Sequence, residues 1–318
     1  MPPWSVAAIA AGYQAARANG GAYGGTPHDP RRTGLAVLPR AVGATALLAQ
    51  DRLVIEAVDV TGSTNADLLG RARATCIDAL VLRATLAQTD GRGRRGRSWW
   101  APRGAGLWFS LAMPIGTQLP ASGLTLACGV ALAAELNALR APVRLKWPND
   151  LLLDGRKLGG ILTEVAIDPT GSTTLVIGVG RNLLTAVAAA RPDPAPPDPA
   201  PPDPLASGAL MAVALDAHLP VPTIVALRDG LLGTLAAALV NAVDTVQRDG
   251  FAPWRARFDA LFAYMDHPAA LTEAGLPAAT GTVRGVDDAG RLLLQTPDGI
   301  RAYLSGDLSL RPLRQTAA

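Results

Sequence analysis

Two apolar runs, residues 158–167 and 173–183, are separated by a connection centred on Pro169-Thr170-Gly171. Parallel neighbours in a sheet need a crossover of roughly a dozen residues or more, so strands joined this closely must pair antiparallel. That ladder constrains the chain more than any other local pattern, because it rules out a sheet made only of repeating βαβ units. The remaining signals agree with a mixed α/β order. Strands are expected over residues 53–58, 80–86, 107–113 and 143–147, and Asp154-Gly155 marks a further hairpin turn. A helix over 122–139 carries apolar residues at i, i+3 and i+4. Another runs to about Thr75, with Thr64 and Asp67 at the spacing of a capping box.

The flanks read differently. Residues 1–50 are rich in Ala and Gly, with a helical pattern over 6–18, a glycine-rich linker after it and little that could form an independent core. Residues 191–204 repeat Pro and Asp with a period of five and cannot enter a helix or sheet interior, so an extended surface insertion is expected. Helical patterns resume over 205–249 and 253–264. Short strands then alternate with turns at Asp288-Ala-Gly290 and Pro297-Asp-Gly299, the pattern of a small β-barrel of roughly 50 residues.

With 318 residues, 49% of them hydrophobic, the chain has ample material for a large core and a smaller one. Its two cysteines, Cys76 and Cys128, form no CxxC pair. Its three histidines, His28, His218 and His267, are scattered, so neither a disulfide framework nor a metal cage follows from spacing. The apolar run at 6–11 is too short for a signal peptide, and no uninterrupted apolar stretch of about 18 residues occurs. These features point to a cytoplasmic protein with no membrane partner.

The net charge of +3 argues only weakly for a polyanionic partner, because the excess is local. Residues 91–97 read Gly-Arg-Gly-Arg-Arg-Gly-Arg, and no acid occurs between Asp90 and Glu135. Guanidinium forks pair bidentately with carboxylate or phosphate, and glycine lets backbone N–H groups approach such a ligand. Gly91, Gly93 and Gly96 also satisfy GxGxxG, but that fingerprint should open a helix and be followed by a ribose-binding acid. Here Trp-Trp-Ala-Pro follows. A solvated basic loop, or a single-strand nucleic-acid binder using Trp99 and Trp100 as stacking platforms, remains open at this point.

Lys146-Trp147-Pro148-Asn149-Asp150 places a lysine at the end of an apolar strand and stiffens the following turn with proline. The plain alternative is a strand-ending turn with local backbone bonds. Lys157-Leu-Gly-Gly-Ile161 and Gly178-Val-Gly180-Arg-Asn182 put small residues on the next two strands, where a ligand could lie against the backbone or two strands could simply pack closely.

Taken in order, Ser63-Thr64-Asn65, Gln88 with the arginine loop and Trp99, Lys-Trp-Pro-Asn-Asp, Lys-Leu-Gly-Gly-Ile-Leu and Gly-Val-Gly-Arg-Asn resemble the biotin protein ligases over residues 53–185. The segment with Gly281-Thr-Val-Arg-Gly285 and Ser309-Leu-Arg311 resembles their SH3-like C-terminal domain. The resemblance implies an α/β fold with a mixed, largely antiparallel sheet, related to class II aminoacyl-tRNA synthetases. It also implies three parts: an extension over 1–50, a catalytic domain over 51–266 and the small domain over 267–318. Biotin and ATP would be substrates with Mg²⁺ assisting, and a biotin carboxyl carrier protein the acceptor.

By the same resemblance Ser63, Thr64, Asn65, Gln88, Gly91, Arg92, Gly93, Arg94, Lys146 and Gly160 would contact biotin. Arg92, Arg94, Arg95, Trp99, Lys146, Asn182 and Arg284 would contact the nucleotide, with Arg94 and Lys146 catalytic. Three features depart from the family pattern: Asp90 before the loop, Arg181 where an aliphatic residue is usual, and an N-terminus shorter than the winged helix of members that repress transcription. Specific DNA binding is therefore not expected, and monomer and homodimer are both compatible. The rival readings are a lipoate or other acyl ligase of the same superfamily, and a nucleic-acid-binding module.

Overall fold

The computed structural model describes residues 2–18, 46–48, 53–115, 122–185, 212–273, 276–305 and 308–313. The expected Pro/Asp insertion and the glycine-rich linker lie outside them. The first body is an eight-stranded sheet. Its strands are β1 (Ala46–Leu48), β2 (Leu53–Thr61), β3 (Leu80–Gln88), β4 (Gly106–Pro114), β5 (Val143–Lys146), β6 (Asp150–Leu153), β7 (Arg156–Ile167) and β8 (Thr173–Asn182), in the spatial order β1-β2-β3-β4-β8-β7-β6-β5. Every neighbouring pair is antiparallel except β2 and β3, which are joined by the helix α2 (Thr64–Ala74) as a parallel pair requires. The expected 158–167/173–183 hairpin is present, with Ile167 opposite Thr173. Asp154 and Gly155 both have positive φ, as a two-residue hairpin turn demands.

Alternation along the strands gives the sheet two different faces. Leu53, Ile55, Leu82, Leu107, Phe109, Ile177 and Val179 point into the main core with the helices α1 (Val6–Ala18), α3 (Leu124–Ala138) and α4 (Val221–Asp249). The other face carries Val81, Ala112, Ala166 and Val176 under Leu68, Leu69 and Ala72 of α2, and beyond α2 it is open to polar residues. The candidate site lies on this second face.

The N-terminal helix belongs to the main body. A Cβ on Gly233 would lie 1.9 Å from the carbonyl oxygen of Ile9, and one on Gly12 would lie 2.1 Å from that of Gly230, so α1 and α4 touch backbone to backbone. Buried Arg228 donates to the carbonyls of Pro2 and Pro3 and to Asp229, and its guanidinium stacks on Trp4 at 4.1 Å. The 29-residue α4 is long and apolar enough to span a membrane by length and composition alone. Its buried face, packed on α1 and α3, makes it a core helix.

Helix boundaries differ from expectation in three places. Ser63, not Thr64, caps α2: its side chain accepts from the N–H of Ala66, leaving Asp67 free to bind Thr61 and Arg83 instead. Within 205–249 the described helix begins only at Val221, after a 3₁₀ turn at Leu215–Ala217. The helix α5 (Ala252–Leu261) stops short of Tyr264, because Phe262 and Ala263 turn to run beside β5.

The second body is an antiparallel sheet of β9 (Pro268–Glu273), β10 (Leu276–Val286), β11 (Leu292–Thr296), β12 (Gly299–Tyr303) and β13 (Leu308–Pro312), in the order β12-β11-β10-β9-β13 around Leu271, Val283, Leu292, Leu294 and Leu310. Trp147 Nε1 donates to the carbonyl of Gly290, and Val286 N–H donates to Asp259 of α5. These bonds bring the end of the small domain to the Lys146 turn.

Candidate active site

The site is assembled where the N-terminus of α2, the arginine loop and the β5–β6 turn converge on the open sheet face. At the α2 end, Gln88 Oε1 accepts from the N–H of Thr64 at 2.9 Å and from its hydroxyl at 3.2 Å, and that hydroxyl also meets Ser110 Oγ at 2.8 Å. A backbone N–H can only donate, so the Gln88 amide is oriented with its NH₂ toward Gly91. Ser63, Thr64 and Asn65 are all buried.

The arginine loop is paired to itself. Arg92 bridges Ser98, the N–H of Gly93 binds the carbonyl of Arg97, and the N–H of Trp99 binds that of Gly91. Arg95 takes a left-handed conformation with φ 61°, a strained choice for arginine that directs its guanidinium to Ser309 Oγ at 3.3 Å. Arg94 reaches Asn149 Oδ1 and the carbonyl of Ser305, both at 3.3 Å. Arg94 thus joins the β5–β6 turn to the small domain, and Arg95 ties the loop to that domain as well. Arg92 pairs instead with exposed Asp90 at 2.8 Å, and the Asp90 carboxylate holds its guanidinium above the ordinary value.

At the turn, Lys146 is 6% exposed, with Nζ 3.7 Å from Asp150. Lys157 binds the same carboxylate at 2.6 Å and lies over the Trp99 ring at 5.3 Å. Burial pushes the Lys146 ammonium down to about 8; Asp150 opposes the shift, while the charges of Arg311 and Lys157 add to it. For Asp150 burial acts to raise the carboxyl, but Lys157, Lys146 and Arg94 outweigh it and hold the group below its ordinary value. The result is a cationic cluster with one internal carboxylate, suited to receive a second anion.

The glycines sort into two kinds. The space beside Gly180 and Gly178 is filled by the protein itself: a Cβ on Gly180 would lie 2.7 Å from the Trp99 indole, and one on Gly178 would lie 2.6 Å from Asn65 Oδ1. At Gly160 the nearest atom to a Cβ is Asp150 Oδ1 at 3.6 Å, so it leaves room next to the lysine cluster. Asn182 donates to the carbonyl of Val213 at 3.0 Å. Arg181 points to the opposite face of the sheet with Leu107, fully buried, without a hydrogen-bond partner among the described residues, its ionisation pushed down to about 9 by burial.

Arg284 is paired with Asp266 at the surface, whereas Arg311 is the small-domain guanidinium whose charge reaches Lys146. Arg311, Lys157, Asp150, Ser110 and Glu164 therefore belong to the site without having been picked out for it from sequence. For Glu164 the usable signal was strand alternation, since it shares the face of Gly160 on β7; Lys157, an odd number of residues from Gly160, reaches Asp150 only because the β6–β7 register is irregular between Lys157 and Gly159. A cavity of about 210 Å³ lined by Thr125, Trp147, Pro148, Thr163, Gly290 and Ser305 lies toward α3, bordered by the turn that follows Lys146 and by Ser305, whose carbonyl Arg94 reaches.

Comparison with known proteins turns this geometry into a family. Residues 57–182 match the Biotin/lipoate A/B protein ligase family, and residues 273–311 match the Biotin protein ligase C terminal domain. The bifunctional ligase/repressor BirA of Escherichia coli is 33% identical over 261 residues, which cover 81% of this chain and 73% of that protein. The biotin--[acetyl-CoA-carboxylase] ligase of Paracoccus denitrificans is 32% identical over 245 residues, 75% of this chain and 93% of that one. The chain belongs to the biotin protein ligase family. Its fold agrees: the Aquifex aeolicus biotin protein ligase solved with biotin and ATP superposes with a TM-score of 0.61, covering 82% of this chain and 99% of that one at 23% identity. This biotin protein ligase is an enzyme, and it shares the family's large mixed sheet and small C-terminal β domain.

Proposed function

We propose that the enzyme activates biotin with ATP to biotinyl-5′-AMP and then transfers biotin to a lysine of a biotin carboxyl carrier protein. The observation that carries this reading is the Lys146–Asp150–Lys157 cluster under the Arg94 bridge, a buried cationic pocket beside an α2 terminus whose amides have fixed polarity. In the first step a carboxylate oxygen of biotin forms a bond to the α-phosphorus, and the bond to pyrophosphate breaks. No protein nucleophile is needed; alignment and charge stabilisation are. Lys146 and Arg94 neutralise the incoming carboxylate and the charge on the phosphoryl oxygens. Arg92, Gly93 and Arg95 form the loop over the ligands, Gly91 borders the Gln88 amide, and Trp99 flanks the nucleotide. In the second step the carrier's amine displaces AMP from the acyl carbon.

The N–H side of Gln88 and the hydroxyls of Ser63 and Thr64 suit the ureido head, with Gly160 giving the tail passage to Lys146. Arg311 takes the role that Arg284 was expected to fill. Among the described residues no group of three His, Cys, Asp or Glu is placed to hold a metal, and Asp150 is committed to two lysines. A magnesium ion would therefore have to arrive with the nucleotide. We place catalysis in residues 51–266 and docking of the small domain in 267–318, with the enzyme acting in the cytoplasm.

Thermal shift with biotin, lipoate and octanoate tests the substrate class. Biotin at a hundredfold excess over its Kd stabilises a specific binder by about 2.7 kcal/mol. Stabilisation by lipoate with none by biotin would transfer the assignment to the lipoate branch.

A further inference from the structure

Arg94 and Arg95 turn to the small domain, whereas Arg92 turns back along its own strand. Its Nη2 donates to Asp90 Oδ2 at 2.8 Å, and its Nε donates to the same oxygen at 3.3 Å. The two partners are not equally anchored. The N–H of Asp90 donates to the carbonyl of Gly62 at 2.8 Å, and that of Thr89 donates to Thr61 at 3.0 Å, so Asp90 stands on backbone tied to the end of β2. Arg92 lies one residue further on, beyond Gly91, with 56% of its side chain exposed. Asp90 is also the last acid before Glu135, which makes it the one carboxylate next to the loop in sequence. The charge of Glu164, on the site face of β7, reaches the same guanidinium. Arg92 is therefore placed between an outer carboxylate and the pocket.

We propose that Asp90 is a positioning residue that parks Arg92 outside the pocket and competes with a ligand anion, carboxylate or phosphate, for its guanidinium. This rests on the reading of the pocket as a site for biotin and ATP, and adds to it an element that sets affinity. A guanidinium fork directs its paired donors at one anion at a time. Here that anion is Asp90, and the carboxylate of biotin or a phosphate of ATP would have to displace it. Both partners are more than half exposed, so water replaces the broken pair readily and the exchange lies near balance. The contact is accordingly worth a few-fold in affinity, not orders of magnitude. It is also sensitive to ionic strength, because exposed charges are screened.

Calorimetry with biotin and with ATP as separate titrants tests this, and the two arms tell which anion Arg92 takes. Asp90→Asn keeps the shape of the side chain and removes its charge. It should tighten one or both ligands roughly two- to fivefold at low salt. The gain should shrink to less than about 1.5-fold near 1 M salt, where the Debye length is about 3 Å. A residue that only supported the loop would loosen binding when replaced. In an Arg92→Ala background, which itself binds more weakly, Asp90→Asn should add nothing further. Tightening of neither ligand, a gain unchanged by salt, or a gain that persists in full without Arg92 overturns the proposal. Wild type that bound neither biotin nor ATP would instead defeat the underlying reading of the pocket, and the proposal with it.

Discussion

Replacing Lys146 with Met should abolish activity and at the same time make the protein more stable. The side chain is 7% exposed, and its ammonium is held at about 8 against 10.5 for an unburied lysine. Each pKa unit is worth about 1.36 kcal/mol, so the difference of 10.5 − 8 = 2.5 units corresponds to roughly 3 kcal/mol. The shift already includes the attraction of Asp150, so it measures the net cost of keeping the charge in place. The sign is set by linkage. The folded pKa lies below the unfolded one, so between pH 8 and 10.5 the unfolded chain holds more protons. The wild type therefore gains stability as pH rises through that window, and at pH 7 it bears the full penalty. Methionine is nearly isosteric with the lysine stem and has no charge to desolvate. Chemical denaturation at pH 7 should show Lys146→Met more stable by about 3 kcal/mol, and at pH 10 the gap should fall below about 1 kcal/mol. Biotin-dependent exchange should be lost throughout. A variant no more stable than wild type at pH 7, or a gap that does not narrow at pH 10, would refute the claim that the site holds a desolvated ammonium.

Two further substitutions probe the body around the site. Arg181→Leu removes a fully buried guanidinium with no hydrogen-bond partner among the described residues. It should stabilise the protein by about 4 kcal/mol in urea denaturation while leaving nucleotide affinity unchanged, since the side chain faces away from the site. Gly233→Ala forces a methyl to within 1.9 Å of the Ile9 carbonyl; separation of α1 from α4 should cost about 2–3 kcal/mol and expose the N-terminal helix to limited proteolysis.

The strands and the site-bearing turns were legible in the sequence because they depend on local rules. Alternation, the Pro169-Thr170-Gly171 connection and Asp154-Gly155 mark the ladder without any knowledge of the rest of the chain. Helix α1 was also legible as a helix, but its burial was not, since it depends on Gly12 meeting Gly230 and Gly233 meeting Ile9 more than 200 residues apart. The α2 cap was misplaced by one residue because Ser63 and Thr64 both suit the role. Only the side chains of Gln88 and Ser110, on the neighbouring strands, show that Thr64 is committed elsewhere.

The arginine loop was evident from composition, but its partners were not. Arg94 and Arg95 hold Ser305 and Ser309, contacts set by how the two bodies dock. For the same reason Arg311, not Arg284, is the small-domain charge felt at Lys146. Nothing along the chain distinguishes the two, and the difference lies in which strand of the small sheet ends at the β5–β6 turn. Gly178 and Gly180 read either as room for a ligand or as close packing, and the structure fills the space beside them with Asn65 and Trp99. A glycine in a strand signals close approach without naming what approaches.

The central claim is that the cluster of Lys146, Asp150 and Lys157 beneath Arg94 forms an acyl adenylate from biotin. Exchange of labelled pyrophosphate into ATP, with and without biotin, measures that step alone, before any carrier protein is involved. Wild type should exchange only when biotin is present, and Arg94→Ala should lower the rate by about 10²-fold or more. Exchange that proceeds equally without biotin, or an Arg94→Ala variant at the wild-type rate, would contradict it.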